Sequence, residues 1–199
     1  MTNQIIIEVF TDFIWPWCYL STGRIERLKK EHNVEIRWTY FPLHPEIPAE
    51  GMTIQELFPG LGERVNLLHA QMKERMDQED LPYDAGERTF NTRLAQELAK
   101  WADGTPKGDA LHKALYEACF VDGRNIGDIT ELLKIAEEVN LPIEEAKEIL
   151  ETRRYKAEVD EDWQRSRQLG VTGVPTFISP SAQVVGAQPY QNLLALIGK

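Results

Sequence analysis

The sequence predicts an α/β fold in which an opening β-α-β unit and a closing β-β-α unit are separated by a helical segment. Residues 4–10 form a nearly continuous run of β-branched and aromatic side chains, and residues 34–40 alternate apolar with polar side chains. Residues 65–163, by contrast, show helical spacing. Because neither sheet fragment could bury both of its faces alone, we expect the fragments to join in one sheet.

The opening unit begins with a strand that suits the centre of a sheet. The run over 4–10 is apolar enough to be covered on both faces. After it, Pro16 can occupy the first turn of a helix, and Cys18 shares one face of that helix with later apolar residues. The helix is predicted to end near Glu31. It is therefore long enough for a right-handed crossover to the strand over 34–40.

The segment after the opening β-α-β unit is predicted to be a loop. Residues 42–62 are rich in proline and glycine, which break regular structure, and the long segment that follows contains no strand candidate. Two short strand runs at 174–178 and 183–186 are joined by turn residues, and a final helix covers 189–197.

These elements predict a discontinuous chain organisation. Residues 1–50 and 165–199 form one α/β domain, and residues 51–164 form a helical insertion domain carried by it.

Composition argues against several classes of partner. The net charge is −10, from 32 acidic and 22 basic residues, whereas binding to nucleic acid or an anionic membrane needs surplus Lys and Arg. The longest apolar run is far shorter than the ~20 residues that span a bilayer. The N-terminus lacks the features of a secretory signal. We expect a cytoplasmic protein without a nucleic-acid or membrane partner.

The cysteine and histidine content bounds the chemistry further. Cys18 and Cys119 are too few for a disulfide framework or a four-ligand zinc site. The histidines show no metal-ligand spacing among themselves, so we expect no metal site and no covalently bound cofactor.

Two segments far apart in sequence carry distinctive residues. The first reads Asp-Phe-Ile-Trp-Pro-Trp-Cys-Tyr over 12–19, and the second reads Gly-Val-Thr-Gly-Val-Pro-Thr-Phe over 170–177. Together they resemble the thioredoxin-fold signature of the DsbA superfamily, in which a C-x-x-C motif lies at a helix N-terminus and a cis-proline loop faces it. Further stretches are similar to the FrnE-type branch of that superfamily: Phe41-Pro-Leu-His-Pro45, Asn91-Thr92, residues 118–127 and Gly186-Ala-Gln-Pro189.

The resemblance covers essentially the whole chain and implies a thioredoxin-like domain with a helical insertion. It implies that the Val174-Pro175 bond is cis, which would keep a backbone edge open to an extended peptide or to glutathione. In the family the first cysteine attacks a disulfide, helped by the helix N-terminus, and the second resolves the mixed disulfide. The family has a histidine shortly after the segment that matches Asn91-Thr92, and the corresponding residue of this sequence is Gln96.

The chain departs from the family pattern at its most important position. Where FrnE-type proteins have Cys-Pro-Trp-Cys, this sequence has Trp15-Pro16-Trp17-Cys18. A dithiol cycle between these two positions is impossible. The related kappa-class glutathione transferases and 2-hydroxychromene-2-carboxylate isomerases carry serine at the first position, and its hydroxyl can stabilise a glutathione thiolate. Tryptophan offers only an N–H donor there.

Several residues have two interpretations. Cys18 is either a small buried apolar residue of the crossover helix or a reactive monothiol at a helix terminus. Trp15 and Trp17 either fill the groove left by the missing sulfur or stack on a ligand. Asn91 and Thr92 either cap a helix or face the binding groove from the insertion.

The sequence thus supports three hypotheses of function. The first is a thiol-disulfide oxidoreductase homologue limited to monothiol exchange through Cys18, with glutathione or a thiol- or disulfide-containing protein as partner. The second is a glutathione-dependent isomerase or transferase acting on a small apolar substrate. The third is a non-catalytic binding module. The candidate catalytic residue is Cys18, and the candidate binding residues are Trp15, Pro16, Trp17, Val174, Pro175 and Asn91.

Overall fold

The computed structural model describes residues 4–62, 64–84 and 86–199. The chain divides into two compact units. The first, called the sheet unit here, comprises the residues up to Leu43 together with Val159–Lys199, and the second, the helical unit, comprises His44–Glu158. The predicted α/β fold class is confirmed. The predicted domain boundaries after residues 50 and 164 stay a prediction.

The elements follow one another in this order: β1 (Ile5–Thr11), α1 (Pro16–Glu31), β2 (Val34–Tyr40), β3 (Met52–Thr53), α2 (Ile54–Leu57), α3 (Arg64–Asp77), β4 (Arg88–Thr89), α4 (Arg93–Ala102), α5 (Gly108–Phe120), α6 (Ile129–Glu138), α7 (Ile143–Thr152), α8 (Lys156–Gln168), β5 (Thr176–Ile178), β6 (Gln183–Val185), α9 (Tyr190–Leu193) and a 3₁₀ turn over Leu194–Ile197.

A four-stranded sheet with the order β2-β1-β5-β6 forms the centre of the sheet unit. β1 pairs in parallel with β2, with Ile5 opposite Val34, and antiparallel with β5, with Phe10 opposite Thr176. β6 pairs antiparallel with β5. The strands from the two ends of the chain therefore share one sheet, as expected, because each fragment alone leaves apolar surface uncovered.

One face of this sheet carries the main apolar core of the unit. Ile7 and Val9 of β1 and Phe177 of β5 pack there with Leu28 of α1 and Leu196 of the 3₁₀ turn, and all five are at most 1% exposed. Complete burial of such a side chain stabilises the fold by about 1.5–3 kcal/mol. This packing fixes α1, and with it the start of α1, against the sheet.

The opposite face contains a buried charge. Glu8 in the central strand is 6% exposed, and its carboxylate accepts hydrogen bonds from Thr39 Oγ1 at 2.8 Å and from Arg165 Nη2 of α8 at 2.7 Å. Burial alone would raise the pKa of Glu8, but these hydrogen bonds and the charges of Arg165 and Arg37 hold that pKa below its ordinary value. Asp162 of α8 accepts a hydrogen bond from the Tyr40 N–H at 3.1 Å.

The helical unit departs from the sequence prediction in one respect. It contains a two-stranded ladder, β3 with β4, in which Met52 lies opposite Thr89. The prediction of a segment without strands was wrong, because strands of two residues are too short to show a period.

Within the residues that the structure describes, no helix is both long enough and apolar enough to cross a membrane.

Candidate functional site

The loop between β1 and α1 is fixed by a buried carboxylate. Asp12 is 1% exposed, and its side chain accepts hydrogen bonds from the N–H of Leu43 at 3.0 Å and, more weakly, of Ile14 at 3.4 Å. Its carbonyl accepts the N–H of Trp15 at 3.2 Å. These bonds close a turn that sets the direction in which the chain enters α1.

Trp15 occupies the N-cap position of α1. Its backbone is extended, with φ −101° and ψ 111°, and Pro16 follows at the first helical position. The carbonyl of Trp15 accepts the N–H groups of Cys18 at 2.9 Å and Tyr19 at 3.3 Å. Its indole has no acceptor atom and makes no capping bond. Within the described part of the chain, the half-buried indole N–H has no hydrogen-bond partner.

Cys18 lies in the first turn of α1 and is buried. It is 2% exposed, as are Ile25 and Leu28 to within one percentage point, which places the sulfur among the apolar residues of that helix face. Cys18 and Cys119 are both thiols rather than disulfide partners, and Cys119 is half-buried on α5 in the helical unit. Burial favours the interpretation of Cys18 as a packing residue. Its catalytic role stays a prediction.

The loop before β5 brings the second motif into the sheet unit. The Val174-Pro175 peptide bond is cis, and both residues are buried. The Pro175 carbonyl accepts the Gly186 N–H at 2.8 Å, and the Gly173 carbonyl accepts the Thr176 hydroxyl at 2.7 Å. Among the described residues, neither the N–H nor the C=O of Val174 has a hydrogen-bond partner. Buried backbone groups are rarely left unpaired, so an external partner would stabilise this position.

The strand register brings the two motifs together. Phe10 lies opposite Thr176 in the antiparallel pair, so two residues further along, Asp12 and Val174 lie at the same end of the sheet. Trp15 is tied to that end by its hydrogen bond to the Asp12 carbonyl. The predicted residues Trp15, Pro16, Trp17, Cys18, Val174 and Pro175 therefore gather where β1 leaves the sheet. In open α/β sheets this carboxyl end of the parallel strands is where ligands bind.

The sequence prediction missed a link between α1 and the second motif. Arg24 of α1 donates from Nη1 to the carbonyls of Ala187 at 3.0 Å and Gln188 at 2.8 Å. The same loop contains Gly186, whose φ of +82° suits glycine and whose N–H binds the Pro175 carbonyl. Arg24 thus holds the loop that positions Pro175. The only signal in the sequence was the Gly186-Ala-Gln-Pro189 run.

Asn91 lies in the helical unit, and its side chain is already engaged there. Its amide donates to the carbonyls of Ile47 at 2.7 Å and Pro45 at 3.3 Å, and its oxygen accepts the N–H of Arg93, the first residue of α4. These bonds match the capping interpretation. The binding role predicted for Asn91 stays a prediction.

Thr92 and Gln96 form a pair of their own in α4. Thr92 makes no side-chain capping bond, and its hydroxyl accepts from the Gln96 amide at 3.1 Å. Gln96 is fully buried, and a hydrogen-bonded neutral amide costs less free energy to bury than a charged side chain would.

No group of three or more His, Cys, Asp and Glu side chains arranged to hold a metal ion occurs in the part of the chain that the structure describes.

Comparison with known proteins assigns the chain to a family. The model of the DSBA-like thioredoxin domain matches residues 6–198. The chain belongs to this family. The predicted DsbA resemblance is therefore confirmed, and the narrower FrnE-type assignment stays a prediction.

Solved structures of several other proteins share this fold. A probable DsbA oxidoreductase, SCO1869 from Streptomyces coelicolor, superposes with a TM-score of 0.90 at 25% identity, covering 98% of this chain and 89% of that one. A 2-hydroxychromene-2-carboxylate isomerase gives 0.77 at 16% identity, covering 97% and 94%. The cytosolic disulfide reductase DsbM from Pseudomonas aeruginosa, solved with GSH, gives 0.66 at 17%, covering 96% and 92%. At such identities the last two likenesses show the fold alone.

Proposed function

We propose that this member of the DSBA-like family binds a small thiol of the glutathione class where β1 leaves the sheet and activates the bound thiol toward a small apolar electrophile. The observation that carries the proposal is a set of polar groups without partners beside a position that lacks a sulfur. Among the described residues the N–H and C=O of Val174 have no partner, and Trp15, whose indole N–H also lacks one there, stands at the sequence position of the family's nucleophile.

The backbone of Val174 supplies the binding contacts. One donor and one acceptor on a single residue match the donor and acceptor of one residue of an extended peptide. Glutathione and related tripeptide thiols contain such a cysteinyl unit. Each hydrogen bond formed with this backbone would contribute about 0.5–1.5 kcal/mol to binding.

Trp15 supplies the contact to the ligand sulfur. An indole N–H can donate to a thiolate, and the N-terminal end of α1 presents the positive end of the helix dipole to the same region. Both favour the ionised form of the ligand thiol. The half-buried rings of Trp15 and Trp17 add apolar surface for an aromatic or otherwise apolar substrate.

The chemistry of such a site is addition and elimination. The ligand thiolate would form an S–C bond to an electrophilic carbon of the substrate. In a transfer reaction the leaving group departs with its electron pair. In an isomerisation the S–C bond breaks again after rotation and returns the thiolate. Neither course needs an electron acceptor or a protein sulfur.

Monothiol exchange through Cys18 is the second candidate, favoured by its place in the first turn of α1. The Cys18 thiolate would attack the disulfide of oxidised glutathione, forming a mixed disulfide and releasing one glutathione thiolate. The 2% exposure of Cys18 makes this course slow. Under either candidate the protein is a cytoplasmic one that uses glutathione or a similar thiol.

Calorimetric titration separates these candidates. Reduced glutathione and S-methylglutathione are titrated into the wild type, Cys18→Ala and the matched control Cys119→Ala. Binding of reduced glutathione that survives Cys18→Ala, combined with turnover of 1-chloro-2,4-dinitrobenzene or 2-hydroxychromene-2-carboxylate, supports the proposal. Binding without turnover of any electrophile would leave a non-catalytic binding module and contradict the proposed catalysis.

Mass spectrometry tests the second candidate directly. After incubation with oxidised glutathione, a mixed disulfide on the Cys18 peptide within minutes would establish monothiol exchange. If calorimetry detects no binding of reduced glutathione, the first proposal is refuted, whether or not the Cys18 adduct forms.

A further inference from the structure

β2 forms an edge of the sheet, and its even-numbered residues direct their backbone groups outward. The Asn33 carbonyl accepts the Ile5 N–H, and the Phe41 N–H donates to the Thr11 carbonyl, so the odd-numbered residues face β1. The Tyr40 N–H instead binds Asp162 of α8. By this alternation the N–H and C=O of Ile36 point away from β1. Among the strands that the structure describes, none covers this edge.

The side chains along this edge show a self-complementary pattern. Glu35 and Arg37 are exposed, lie on the same face two residues apart and carry opposite charges. Neither side chain forms a salt bridge with another described residue. Val34, Ile36 and Trp38 alternate with them on the face that packs against the apolar core.

We propose that two copies of this chain associate by pairing β2 with β2 in antiparallel orientation, with a twofold axis through Ile36. The two Ile36 residues exchange their outward N–H and C=O groups. In that register Glu35 of each copy lies opposite Arg37 of the other, and Val34 lies opposite Trp38. All cross-strand pairs are then of opposite charge or both apolar, the combinations that stabilise sheets.

The charges of Glu35 and Arg37 determine both the register of the strand pairing and the choice of a second copy as the partner. A twofold axis through Arg37 would place two arginines opposite each other, and one through Glu35 would place two glutamates opposite each other, so both are disfavoured. A surface that matches itself about Ile36 fits a second copy, because a twofold interface uses the same patch on both chains. Five residues on each side make a small interface, so the dimer is weak and concentration-dependent.

Sedimentation velocity over a concentration series tests the dimer with charge-reversal variants. Glu35→Arg and Arg37→Glu each place like charges opposite each other twice, so each alone should dimerise at least about tenfold more weakly than the wild type. Mixing these two single variants restores both opposite-charge pairs and should restore a dimer. The double variant Glu35→Arg/Arg37→Glu should also self-associate like the wild type.

The double variant is the matched control for folding, because it shares with the single variant Arg37→Glu the glutamate at position 37, near Glu8. Circular dichroism checks the folding of all of the variants. A wild type that stays monomeric up to millimolar concentration would overturn the proposal and leave the charges as protection of a bare edge. Single variants that dimerise as strongly as the wild type, or a mixture that does not restore the dimer, would also overturn it.

Discussion

Polar groups beside the middle of β1 and polar groups beside its end differ in their hydrogen bonding. Beside the middle of β1, the Glu8 carboxylate is buried and fully engaged by Thr39 and Arg165. Where β1 ends, the Val174 backbone and the Trp15 indole N–H lack partners among the described residues. A satisfied buried group indicates a structural role, whereas an unsatisfied one indicates that something outside the chain completes it. The contrast separates the residues that hold the fold from those that we expect to contact a ligand.

Restoring the family sulfur gives the largest expected effect. In Trp15→Cys the new thiol lies three residues before Cys18, at the N-cap of α1, which recreates the Cys-x-x-Cys spacing. Dithiothreitol-dependent insulin reduction should rise on the order of a hundredfold above the matched control Trp15→Ser. Equal rates for the two variants would show that more than the sulfur has been lost from the site.

Removing the buried charge tests the structural side of the contrast. Glu8→Gln weakens charge-assisted bonds to Arg165 and Thr39, so the free energy of unfolding should fall by about 2 kcal/mol in urea denaturation. The matched control is Glu35→Gln, which changes an exposed carboxylate on the same face and should alter stability by less than about 0.5 kcal/mol. Similar losses in both variants would contradict the role given to Glu8.

The same carboxylate should make stability depend on pH. The pKa of Glu8 is lowered in the folded chain, so its contribution is complete above the unfolded value of 4.5 and is lost as the pH falls through the lower folded value. Urea midpoints of the wild type and Glu8→Gln should therefore converge as the pH falls from just above that unfolded value to strongly acidic conditions. A difference that stays constant over this range would show that Glu8 is not ionised in the fold.

The two cysteines should differ in their rates of alkylation. Cys119 is half-buried and Cys18 is 2% exposed, so iodoacetamide should alkylate Cys119 roughly tenfold faster in the native protein. Peptide mass spectrometry at timed intervals measures both rates, and denaturant should make them equal. Faster alkylation of Cys18 would restore the monothiol candidate to first place.

The sequence predicted the strands, the crossover helix and the two motifs because each has a periodic or compositional signal. It could not predict the β3–β4 ladder, whose strands are too short to show a period. It could not predict the structural role of Glu8, since its partner Arg165 lies 157 residues away and only the fold brings them together. For the same reason the link from Arg24 to the loop before Pro189 was missed.

The candidate site was predicted as a set of residues but not as a chemical environment. The motif located Trp15, Cys18 and Pro175, and the structure places them at one end of β1. Burial of Cys18 and the unpaired backbone of Val174 depend on packing and on hydrogen bonds between distant segments. No pattern in one sequence reports either property.

A ¹H–¹⁵N correlation titration of the labelled protein with reduced glutathione tests the central claim most directly. We expect the Val174 amide and the Trp15 indole N–H signals to shift together and to saturate. The Trp101 indole, whose N–H already donates to Glu145 Oε1 at 3.2 Å, should not shift. If the Val174 and Trp15 signals stay in place while glutathione is in large excess, the unpaired groups do not form a thiol-binding site.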